Sequence, residues 1–197
     1  MTILEILNQL STENGGIITT QKATEHGISR SILSKLCNQG KIERIKQGQY
    51  IIPGEMEDEL LSISLRSVRL IFSHETALFL HGLSDRMPFV HSATAPSNSV
   101  PPLSLRDDIK FYYIKPTLFE MGKEIIKTPA GNDVNCYDID RTICDALRSR
   151  NRIGSETFMF ALKAYTESNK KNLNHLQQYA KALNISGLVY RYMEVLL

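Results

Sequence analysis

Ser31, Ser34, Lys35 and Asn38 recur at i, i+3, i+4 and i+7, and Arg30 stands just ahead of them. In a helix that spacing sets four hydrogen-bonding side chains in one row. Their chemistry suits a base edge. Asn can bond adenine N6 and N7 together, Arg and Lys suit guanine O6 and N7 or a phosphate, and Ser donates or accepts. A second set follows at once: Lys41, Arg44, Lys46, Gln47 and Gln49 surround a Gln-Gly turn, where cations and amides suit a sugar–phosphate backbone. Thr20 and Ser29, each at the start of a short helical segment, complete the expected contact set. Taken alone, the row is also what any solvated helix face looks like. The order helix, helix, turn, helix, basic hairpin makes it an expectation of binding to double-stranded DNA.

Other chemistry is less well supplied. His74 and His81 lie seven apart on one predicted helix, but no third metal ligand has a suitable spacing. The chain has neither a GxxxxGK[ST] phosphate loop nor a GxSxG elbow. Asp107, Asp108, Glu124 and Lys127 fit a nuclease pattern of carboxylates and lysine only in poor order, and charges at strand edges explain them more simply. A nuclease with a DNA-binding arm remains the alternative from another class. Cys144, between Ile143 and Leu147, reads as core. The expectation is a protein without enzymatic activity, metal or cofactor. Arg141, Arg148, Arg150 and Arg152 cluster at and beyond one helix. They suit either an added DNA contact or ordinary cations at a helix C-terminus.

The elements that must position these groups are legible in part. Ile3, Ile6, Leu7 and Leu10 give the first helix an apolar face. Ile17-Ile18 is a short apolar link or small strand. Thr19 or Thr20 can cap a second helix at Gln21–Glu25, and Gly27 suits the turn that follows. Ser29 caps a third helix ending at Gly40, with Ile32, Leu33, Leu36 and Cys37 on the side away from the polar row. Lys41–Lys46 and Gln49–Ile52 form a hairpin. This predicts a winged helix-turn-helix domain at residues 1–54.

After Pro53-Gly54 an acidic run opens a helix whose buried side takes Leu60, Leu61, Ile63, Leu65 and Val68. Ser73 caps the next helix. Strands are expected at 89–94, 109–114, 122–127 and 134–137, then four helices from Asp138 onward. The fold class is therefore α+β: the winged helix followed, over residues 55–197, by a mixed domain with a small sheet and a helical tail.

The chain's 197 residues are 42% hydrophobic and 22% charged, which is ordinary for a globular protein. Up to Gly54 there are six Lys or Arg against four Asp or Glu, so the whole net charge of +2 falls in the segment with the polar row. The absence of a long apolar run or a basic leader predicts no membrane association and a cytoplasmic protein. The three cysteines form no CxxC and are expected to be reduced.

Three patches resemble one family. Ile18-Thr19-Thr20-Gln21-Lys22-Ala23 through Gly27-Ile28-Ser29-Arg30, with Gly40–Ile45 and Gly48-Gln49-Tyr50, resembles the N-terminal domain of AbiEi-family antitoxins. The run from Ser73-His74-Glu75-Thr76-Ala77 to His81-Gly82-Leu83 resembles the same family, as does Tyr137-Asp138-Ile139-Asp140-Arg141-Thr142-Ile143-Cys144-Asp145. The resemblance implies a type IV toxin–antitoxin system linked to abortive infection and phage defence. It implies an antitoxin that represses its own operon at inverted repeats in the promoter. The implied partner is a nucleotidyltransferase-like toxin, countered without a stable complex. The arginine cluster then becomes a candidate for antitoxicity. The alternative is a plain winged-helix regulator with a ligand-sensing or dimerising C-terminal domain.

Overall fold

A computed structural model of the chain describes residues 2–196. It is a mixed α and β structure in two compact units, Met1–Arg66 with Thr128–Asn132, and Ser67–Lys127 with Asp133–Leu197.

In the first unit, α1 (Ile3–Glu13) begins at a reciprocal cap. The Thr2 amide donates to the Glu5 carboxylate at 2.7 Å and the Thr2 hydroxyl accepts from the Glu5 amide. Gly15 then takes a positive φ of 63°, and a Cβ there would collide with Asn132 and Leu61, so this turn requires glycine. β1 (Ile18–Thr19) leads into α2 (Thr20–Glu25), and Ser29 caps α3 (Arg30–Asn38) by accepting from the Ile32 amide at 3.4 Å. β2 (Glu43–Lys46) and β3 (Gln49–Ile51) follow, and all three strands form one antiparallel sheet in the order β1-β3-β2. Leu7, Leu10, Ile18, Ala23, Ile28, Leu33, Ile42 and Tyr50 close the core.

The unit continues through α4 (Glu59–Ser64). Buried Asp58 caps this helix with one carboxylate oxygen. The other accepts from the Thr128 hydroxyl at 2.6 Å and the Asn132 amide at 2.8 Å. Leu65 and Val68, expected on the buried side of this helix, are 44% and 93% exposed because the helix stops at Ser64.

The second unit is built on a mixed five-stranded sheet in the order β6-β5-β4-β8-β7. Its strands are β4 (Ile71–Phe72), β5 (His91–Pro96), β6 (Ile109–Ile114), β7 (Lys123–Lys127) and β8 (Asp133–Tyr137). β4 runs antiparallel to β5 and parallel to β8; β5 and β6 are parallel, and β7 and β8 form a hairpin. Among the described residues five α-helices complete the unit: α5 (His74–Leu80), α6 (Ile139–Arg148), α7 (Ser155–Glu167), α8 (Leu173–Ala182) and α9 (Ser186–Leu196). Their core joins Ile71, Leu78, Ile143, Leu147, Leu162 and Leu176. Among the described residues no helix is long and apolar enough to cross a membrane.

Candidate nucleic-acid interface

α3 folds because Leu33 is fully buried while Ile32, Leu36 and Cys37 pack against the same core. That fixes the helix's rotation. Arg30, Ser31, Ser34, Lys35 and Asn38 all fall on the opposite, exposed side. The Ser31 hydroxyl lies 2.8 Å from that of Ser29, and among the described residues no hydrogen bond occupies the side chains of Ser34, Lys35 or Asn38. The row is thus a stripe of polar groups facing solvent, with a cation at each end of its first turn and a half. A helix of this diameter fits the major groove.

The hairpin beside it is held more firmly than a free ribbon. Gly48, at φ 76°, makes the turn, and its carbonyl accepts from both the Thr20 amide (2.8 Å) and the Thr20 hydroxyl (3.3 Å). With β1 paired to β3, the turn is pinned to the start of α2. Lys41, Arg44 and Gln47 are exposed, and Lys46 is half-buried. The Arg44 Nε reaches the Lys46 carbonyl at 3.4 Å, across the bulge that breaks the register between them.

Three expected contact residues have structural duties. Ser29 is the N-cap of α3, and Thr20 pins the turn. Gln49 requires a correction: it is 3% exposed, so it is not on the surface. Its amide donates to the Ser62 carbonyl (2.9 Å) and its carbonyl accepts the Ser62 hydroxyl (2.7 Å). β3 is the central strand and all three of its residues are buried, so Gln49 has no open face to occupy. Gln49→Ala is expected to lower stability by about 1–3 kcal/mol, because it strands the Ser62 groups. The affinity of the folded protein for DNA should not change. Chemical denaturation and a DNA titration on the same sample check both halves.

In the second unit the arginine cluster does not form as a surface patch. Arg141 has 0% exposure. Its Nε donates to Asp145 (3.1 Å), its Nη1 to the carbonyls of Leu118 (3.2 Å) and Met121 (2.7 Å), and its guanidinium lies over the Tyr137 ring at 4.2 Å. Gly122 lets it in: a Cβ there would stand 2.7 Å from that of Arg141. Arg148 shares Asp145 (3.1 Å), Arg150 bonds the Leu147 carbonyl (3.3 Å), and Arg152 covers Tyr112. Only Arg148 and Arg152 of the four are exposed.

Residue types alone do not show how completely the polar residues of the two C-terminal patches are built into packing. Asp138 caps α6 and accepts from Tyr179 (2.7 Å). Asp140 accepts from the Tyr165 hydroxyl (2.7 Å) and the Asn172 amide (2.8 Å). Each bond raises its tyrosine's pKa, after burial, which is the larger cause. Thr76 and Ser92 exchange amide–hydroxyl bonds at 2.9 and 2.7 Å. His81 lies 2.7 Å from the Tyr137 carbonyl, whereas His74 stacks on Tyr112, so the two histidines do not converge. Among the described residues no three His, Cys, Asp or Glu are grouped to hold a metal. Cys144 is fully buried, which pushes its thiol pKa well up and leaves it unreactive.

Residues 5–53 match the model of a family described as transcriptional regulator, AbiEi antitoxin. The resemblance read from the sequence is thus shown for the segment from α1 to the end of the hairpin. That family is one of regulators and antitoxins. Comparison with curated proteins finds no match. Among solved structures, the chain is similar to the crystal structure of the RV2827C protein from Mycobacterium tuberculosis, with a TM-score of 0.65 and 16% identity. The likeness covers 89% of this chain and 70% of that one, and at this identity it is a likeness of fold.

Proposed function

We propose that the chain is an antitoxin of a type IV toxin–antitoxin system that also represses its own operon, acting in the cytoplasm. In this reading the segment 1–54 is a winged helix that binds inverted repeats in the promoter, and the segment 55–197 supplies antitoxicity. The observation that carries the DNA half is the exposed row Ser31, Ser34, Lys35 and Asn38 with Arg30, on a helix whose rotation is fixed by Leu33. The family match over residues 5–53 supports the regulator reading. α3 enters the major groove with Asn38 and the serines toward base edges. Arg30, Lys35, Lys41, Arg44, Lys46 and Gln47 bind phosphates on either side. The partner toxin, of nucleotidyltransferase type, is countered without a stable complex.

Lys35→Ala or Arg44→Ala should weaken binding to promoter DNA alike on all sequences and reduce the salt slope, log K against log salt, by about one unit. Asn38→Ala should cost about 1–3 kcal/mol at one base pair and little on random DNA. Titrations of promoter and random duplexes at several salt concentrations separate the two. Unchanged slopes together with unchanged selectivity would remove α3 from the groove. The antitoxin half is tested by co-expression with the neighbouring gene: rescue of growth is expected, and a neighbour without toxicity would leave a plain regulator.

A further inference from the structure

The second unit holds a partly open polar cavity of about 170 Å³, lined among others by His74, Tyr112, Asp145, Arg148, Ser149 and Arg152. At roughly 30 Å³ per water this is room for about six waters. That suits one compact oxyanion and falls below the roughly 300 Å³ at which pockets for larger ligands begin.

The charges around it do not cancel. Glu75 is paired with Lys110 at 2.7 Å. Asp145 lines the cavity, but its two oxygens are taken by Arg141 and Arg148, each at 3.1 Å. Arg152 has no carboxylate partner among the described residues; its guanidinium lies over the Tyr112 ring at 4.5 Å. Among the residues that line the cavity one carboxylate, Asp145, thus faces two guanidinium groups, Arg148 and Arg152, and the excess is positive.

The hydrogen-bond order points the same way. Thr94 donates to the Ser73 hydroxyl at 2.9 Å. Ser73 is fully buried, so its own proton needs an acceptor, and His74 Nδ1 is there at 2.9 Å. His74 is itself buried and stacked on Tyr112, and burial holds its pKa down at about 4. At neutral pH its ring therefore carries one proton, which this order places on Nε2. Nε2 then donates to Ser149 Oγ at 3.0 Å. The Ser149 hydroxyl proton is left to point at a ligand. His74 also holds a backbone φ of 50°, a conformation uncommon outside glycine, Asn, Asp and His, which fits a side chain held for its position.

We propose that this cavity is a binding site for a free phosphate-class oxyanion, such as inorganic phosphate or the phosphoryl group of a small monoester, held by Arg148, Arg152 and the Ser149 hydroxyl. It is independent of the DNA-binding row, and it gives the second unit a small-molecule input. The same donors suit a phosphate of nucleic acid, so the test separates the two sources.

Calorimetric titration of the full chain with sodium phosphate, against sodium chloride of equal ionic strength, should show saturable binding to one site. Arg152→Gln and Ser149→Ala should each weaken it by about tenfold, while Arg191→Gln, on α9 away from the cavity, should leave it unchanged. Nitrogen NMR should find His74 protonated at Nε2. The proposal fails if no saturation is seen by about 10 mM, if Arg191→Gln weakens phosphate as much as Arg152→Gln, or if Nδ1 carries the proton. It also fails if a promoter duplex displaces phosphate and Arg152→Gln weakens duplex binding to the same degree, since the cavity would then serve the DNA backbone.

Discussion

Arg141→Met is expected to destabilise the second unit by about 3–5 kcal/mol, the cost of leaving a buried partner charge behind. The replacement is close in length and fills much of the space over Tyr137, so lost volume is the smaller part of the effect. What remains is Asp145, 1% exposed, with Arg148 as its one ion-pair partner left among the described residues, and that side chain is 34% exposed. The carbonyls of Leu118 and Met121 lose their donor as well. Arg141→Met combined with Asp145→Leu should recover most of the loss, since removing both charges of a buried pair is far cheaper than removing one. Urea unfolding followed by a probe in the second unit measures both variants. A loss below about 1 kcal/mol in the single variant, or no recovery in the double, would mean the pair is not held as described.

The second large effect is a loss of stability in acid. His74 is 3% exposed and its folded pKa is about 4, against about 6.5 when unfolded; burial is the main cause. Between those values the unfolded chain holds a proton that the folded chain does not. Stability is therefore complete above about pH 6.5 and falls with pH toward 4, by about 3 kcal/mol in all. His74→Asn tolerates the positive φ and has no charge to gain. The difference between the unfolding free energies of the two proteins should shrink as pH falls through this window. Parallel curves would show that His74 does not stay neutral in the fold.

How much of this could be read beforehand depended on whether residues announced their surroundings. α3 was legible because Ile32, Leu33, Leu36 and Cys37 recur with the helical period, which left the polar row no face but the open one. β6 was legible from its aromatic and β-branched run. β4 is not legible, because two residues, Ile71 and Phe72, are too few to show any period. The strand expected at 89–94 begins two residues later in the fold, at His91. Phe89 and Val90 look like strand but are exposed, while His91, Ser92 and Thr94 look like surface but are buried in hydrogen bonds. The same blindness applied to Arg141 and Gln49. A charge or an amide in a sequence reads as wet until its partners are known, and those partners were 4 to 23 residues away.

The shortness of β4 has a mechanical consequence. β5 and β6 are zipped over six residue pairs and β7 and β8 over five, but β4 joins these ribbons through two pairs on one side and one on the other. Under load or on heating, the sheet should part along that narrow seam, releasing two intact ribbons before either one unravels. The amides of Ile71 and Phe72 would then trade their hydrogens with solvent ahead of those in the outer strands.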